Sequence, residues 1–191
     1  MLWGLIQFGF GRWPAAGREA WAVKHVALYI ALPFLFLIAT RTHRSIQWRW
    51  SPEARRWTII CCALALPVYA AALWLPGMQD YYPMWPIQPG AGGVAQYILA
   101  MLAVVGGTEF FYRGVMLLPL RGWGPAAVLL HLAPYVWIHV GKPMEEVLGS
   151  VAGGLFWGFA AYRSRTIYPG LISHTLGWAM LELVLALGRG Q

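Results

Sequence analysis

Apolar residues run along this chain in long blocks rather than in strict alternation with polar ones. A helix rising 1.5 Å per residue needs about 20 mostly apolar residues to cross a bilayer core of roughly 30 Å. Six such blocks lie near residues 22–40, 57–76, 93–120, 124–141, 145–163 and 168–187. All are too long for strands, and the alternating segments of about ten residues that build membrane β-barrels do not occur. The pattern predicts an all-α, polytopic integral membrane protein of about six transmembrane helices. The opening MLWGLIQFGF is too short to span and lacks both a basic n-region and a small-residue cleavage site. With Trp3, Phe8, Phe10 and Trp13 beside Arg12 and Arg18, residues 1–20 read as an N-terminal interfacial segment. No fixed-period repeat or low-complexity linker divides the chain, so 1–191 is expected to form a single membrane domain.

Composition agrees. Charged residues make up 11% of the chain and hydrophobic ones 59%, against about 25% charged in soluble domains. This excludes a water-soluble fold and intrinsic disorder alike. The net charge of +7 does not point to nucleic acid, because the Lys and Arg are spread between apolar blocks instead of gathered on one wet face. They mark topology. Residues 41–56 hold Arg41, Arg44, Arg49, Arg55 and Arg56, whereas 77–92 hold Asp80 and no base, which places 41–56, with Arg121, Arg163 and Arg165, on the cytoplasmic side. Arg12, Arg18 and Lys24 pull against the extracytoplasmic N-terminus this requires. A prokaryotic cytoplasmic membrane is the expected location. Tyr81, Tyr82 and Trp85 read as an interfacial belt, Cys61 and Cys62 as apolar filler, and the overlapping GxxxG patterns at Gly149, Gly153, Gly154 and Gly158 as helix packing.

Ionisable groups inside apolar helices are costly, so each is a functional candidate. Besides Lys24 and His25 near the start of the first block, they are Glu109, Arg113, His131, His139, His174 and Glu182. Glu109 and Arg113 stand at i and i+4 on one helix face, in the favourable order for an ion pair. The third and fourth blocks turn at Gly122-Trp123-Gly124-Pro125, and Glu109 and His139 each lie 15 residues from position 124, about 22 Å along either helix. Level with each other, they form a candidate proton-transfer pair. His131 reads as structural. His174 enters about eight residues from the middle of the loop 164–169, which is shallower than the other two. Glutamate, arginine and two histidines suit a hydrolase that activates water and holds an oxyanion. Zinc held by Glu109, His139 and His174 is the alternative, without HExxH or comparable spacing, and no other cofactor is expected. Ser150 and Ser173 lack a GxSxG setting.

These residues resemble, in order, the motifs of the CPBP intramembrane proteases, the CAAX proteases and bacteriocin-processing enzymes also called the ABI family. TEFFYRG is similar to the family's EExxxRG, Tyr135-Val136-Trp137-Ile138-His139 to its FxxxH, and the segment headed by His174 to its HxxxN. The resemblance covers about residues 93–187. It implies a glutamic-type intramembrane endopeptidase acting on a membrane-anchored or transmembrane substrate, with Glu109 and His139 on the water, Arg113 supporting Glu109, and His174 on the oxyanion. Gly141-Lys142-Pro143 with Glu146 resembles a bacterial subgroup with GKPxxE after the histidine; Glu146 then lies near the pocket mouth, or is a helix N-terminal charge. Two positions depart from the family. Thr108 occupies the place of its first glutamate, and Trp178 that of its asparagine, where an indole N–H can donate to an oxyanion. Thr108 keeps open a catalytically impaired pseudoprotease or an immunity-type protein that binds a peptide without cutting it. A small transporter would call for inverted repeats or broken helices in paired halves, which are not found.

Overall fold

The computed structural model describes residues 17–189, and most of the expected interfacial segment, 1–16, lies outside them. Helix α1, Arg18–Ala39, begins inside the stretch assigned to that segment, directly after Gly17 with its positive φ of 128°. Helix α2 is Pro52–Ala72, α3 the short Pro76–Tyr81, α4 Gly90–Trp123, α5 Ala126–Trp137, α6 Met144–Ser164 and α7 Tyr168–Gly188. No strand occurs among the described residues.

Three of these helices, α1, α4 and α7, are long and apolar enough to cross a membrane. Side chains point as a lipid solvent requires. Phe34, Leu35, Phe36, Ile59, Val68, Leu129 and Leu130 face outward, while Glu109, Arg113, Glu182 and Ser173 are fully enclosed. A water-soluble fold would invert that arrangement. Helix α4 is the most enclosed, with 50% of its apolar stretch buried against 28% for α1.

Local sequence explains the ends and bends. Ser51 caps α2, its hydroxyl accepting from the Ala54 N–H at 3.1 Å, with Pro52 in the first turn. Within α1 a π-helical stretch, Val26–Ala31, runs up to Pro33, whose ring nitrogen has no hydrogen to donate. Helix α4 continues from Glu109 into a second π-helical stretch, Phe110–Leu117, and tightens into a 3₁₀ turn before Gly124, at φ 70°. The expected hairpin at 122–125 is there. Helix α5, however, stops at Trp137, and its 12 residues span only about 18 Å. The chain turns away through His139 and Lys142, with Gly141 at φ 96° and Pro143 following.

The GxxxG glycines divide by neighbour. A Cβ on Gly158 would overlap the His131 ring, and one on Gly154 would overlap Leu132 and Tyr135, so these two set the close approach of α6 to α5. Gly149 faces open space, and Gly153 meets only Trp157 of its own helix. Gly158→Ala is therefore expected to lose about 1–3 kcal/mol by overpacking, whereas Gly149→Ala stays within about 0.5 kcal/mol. Denaturant titration in mixed micelles reads both, and equal stabilities would refute the assignment.

Candidate active site

Glu109 ends the α-helical part of α4, and Arg113 lies one turn later in the π-helical stretch, a feature often found at functional sites. Both are fully buried, with Arg113 Nη1 3.3 Å from Glu109 Oε1. The guanidinium also rests over the Tyr135 ring, 3.9 Å from its centroid, and 5.8 Å from that of Trp157. Opposite charge and aromatic faces offset the cost of burying both ions.

Helix α7 brings His174 to this pair. Its Nδ1–H donates to Glu109 Oε1 at 3.0 Å, since the carboxylate can only accept. The depth difference expected from sequence disappears because α7 begins beside the carboxylate: Gly170 lies so close that a Cβ there would overlap Glu109 Oε2. The His174 ring stacks on Trp157, centroids 4.4 Å apart and planes 14° from parallel. Trp157 is pinned in turn by its Nε1–H to Ser173 Oγ, 2.9 Å, and that hydroxyl donates to the Pro169 carbonyl at 2.6 Å.

His174 borders a cavity of about 1060 Å³, walled also by Thr108, His139, Glu146, Trp157 and Trp178. Glu109 and Arg113 lie behind its wall. The Thr108 hydroxyl is turned to the Val104 carbonyl at 2.9 Å. His139 sits in the turn beyond α5 rather than within a span; its Nδ1–H donates to the Tyr135 carbonyl at 2.9 Å, and its Nε2 is 3.9 Å from Glu146 Oε1. Glu146, in the first turn of α6, accepts from the Tyr82 hydroxyl at 2.7 Å and pairs with Lys142. Glu109 thus has Arg113 and His174 as its polar partners, and His139 has Glu146.

One expectation changes. Tyr81, Tyr82 and Trp85 line this cavity instead of marking a lipid interface, because the 77–92 segment folds inward. It is held there by Glu182, a second fully buried carboxylate, which accepts from Tyr97 Oη at 2.7 Å and the Met84 N–H at 3.1 Å. His131 lies apart, bonded to the Val128 carbonyl at 2.6 Å. Among the described residues, no three of His, Cys, Asp and Glu converge to hold a metal ion.

The fold and site define an all-helical protein with helices of membrane-spanning length, an enclosed acid–base cluster and a large cavity beside it. Residues 90–180 match the family described as Rce1-like, type II CAAX prenyl endopeptidase Rce1-like. The resemblance read from the motifs is borne out over that segment, and the family is one of proteases. No curated protein and no solved structure matches the chain.

Proposed function

We propose that this chain is an intramembrane endopeptidase of glutamic type that hydrolyses a peptide bond of a membrane-associated protein, a C-terminal processing or sorting step in a prokaryotic cytoplasmic membrane. The observation that carries the reading is the Glu109–His174 hydrogen bond at the wall of the cavity, within the segment that matches the protease family. With α1, α4 and α7, the 21-residue α2 and α6, which also reach about 31 Å, make five crossings of one domain, and the short α5 completes the sixth.

In this reading the substrate peptide lies in the cavity and His139 takes a proton from water as the water oxygen bonds to the scissile carbonyl carbon. Glu109 fixes the His174 ring through Nδ1, and in its doubly protonated form that ring donates from Nε2 to the developing oxyanion. The Trp178 N–H is enclosed and turned toward the Glu182 carboxylate, so His174 is the donor this wall offers. Collapse breaks the C–N bond, and the proton held by His139 passes to the leaving amine. Glu109 and Arg113 are positioning residues, and the chemistry draws on side chains and water.

Glu109→Gln is expected to lower kcat on a fluorogenic prenylated CAAX peptide by about 10²–10⁴-fold, with the fold retained because the isosteric amide oxygen still faces Arg113 and the guanidinium keeps the Tyr135 ring. Unchanged turnover would remove the carboxylate from the mechanism. Thr108, facing the cavity without a carboxylate, favours a second reading, a pseudoprotease or immunity-type protein that binds a peptide uncut. A large gain of cleavage in Thr108→Glu over an inert parent would establish it.

A further inference from the structure

We propose that Glu146, together with His139, is the water-activating pair of this enzyme, a role the residue at 108 does not fill. The inference deepens the proposed hydrolytic function and rests on it. Three observations combine. The only oxygen Thr108 brings to the cavity wall is a hydroxyl committed to the Val104 carbonyl. Glu109 stands behind the wall on His174 and Arg113. Glu146 borders the cavity itself, its side chain 14% exposed beside a His139 side chain 10% exposed.

The tautomer decides what lies between them. A backbone carbonyl only accepts, so the bond from His139 Nδ1 to Tyr135 puts the hydrogen on Nδ1 and leaves Nε2 of the neutral ring as a lone pair. Nε2 and Glu146 Oε1 are then two acceptors 3.9 Å apart, with no hydrogen to share. One water satisfies both by donating each of its hydrogens, because two ~2.8 Å bonds at the water angle reach roughly 4–4.5 Å. Its oxygen lone pairs then point away from both bases, as attack on a carbonyl carbon requires. Tyr82 fixes the carboxylate through its other oxygen, Oε2, and Lys142 donates to Oε1, which keeps a second lone pair for the water. When that oxygen bonds to the carbonyl carbon, one hydrogen passes to His139 Nε2 and Glu146 keeps the other through its hydrogen bond. The proton on His139 later goes to the leaving nitrogen.

The test uses the full chain in proteoliposomes and the fluorogenic prenylated CAAX peptide, with ¹⁵N-histidine NMR alongside. Glu146→Gln should lower kcat about 10²–10⁴-fold and leave KM within about threefold. His139→Gln on that background should add little, since the two act on one water. Glu146→Asp should recover part of the rate. Glu53→Gln, on α2 and bonded to Trp57 outside the cavity wall, should keep the parent rate. The His139 resonances should report the neutral Nδ1–H form and shift on Glu146→Gln. Cleavage at the parent rate by Glu146→Gln, or a permanently charged His139, overturns the pair while the protease reading stands. An inert parent overturns that reading and the inference with it.

Discussion

Arg113→Met is expected to destabilise the fold by about 3–5 kcal/mol, the largest effect of any single change considered for this chain. Arg113 and Glu109 are both fully buried, 3.3 Å apart. Methionine fills the volume against Tyr135 and Trp157 but leaves the carboxylate enclosed with only His174 as a polar partner. The penalty belongs to the stranded acid more than to the lost attraction. The double variant Glu109→Gln/Arg113→Met should therefore recover most of the loss, a coupling of a few kcal/mol between two contacting residues. Denaturant titration of all four forms in mixed micelles measures it. If Arg113→Met falls within about 1 kcal/mol of the parent, or if the double variant is no better, the pair does not carry charge in the fold.

That pair was legible because both members sit on one helix, where i and i+4 spacing fixes the geometry without knowledge of any other element. The long helices and the 122–125 hairpin were legible for a similar reason, being set by run length and by local turn chemistry. Depth was not. Counting residues from a loop presumes that all loops lie at one height, and α7 begins instead beside Glu109, where Gly170 admits it. The same presumption placed His139 inside a helix, although Gly141 and Pro143 turn the chain two residues after it.

The inward fold of 77–92 had still less signal. Its aromatic residues suit a lipid interface and a cavity wall equally. What separates the two is a carboxylate 98 positions away, Glu182 on the Met84 N–H, and another 64 away, Glu146 on Tyr82. A single sequence does not display contacts at that separation. Glu146 was visible only through the GKPxxE likeness, and its partnership with His139 depends on the turn that ends α5.

Gly170→Ala should reduce cleavage by about 10²-fold or more, although no polar atom is removed. A methyl group at 170 would overlap Glu109 Oε2, and helix backbone lies behind it, so the carboxylate has to yield. Moving it separates Oε1 from His174 Nδ1, releases the ring from its fixed orientation, and leaves Nε2 misaligned toward the cavity. A misplacement of this size is enough, since a shift of about 1 Å can cost 10²-fold. The effect should fall on kcat rather than KM, because Glu109 lies behind the wall that meets the peptide. Gly106→Ala supplies the comparison: it stands on α4 near the same helix, its added methyl meets Leu171 at an ordinary 3.8 Å, and it should cleave at close to the parent rate. His174 ¹⁵N shifts should move in Gly170→Ala and not in Gly106→Ala. A Gly170→Ala protein that keeps full activity would show that the Glu109–His174 bond is dispensable, and would leave the buried glutamate as no more than half of a structural ion pair.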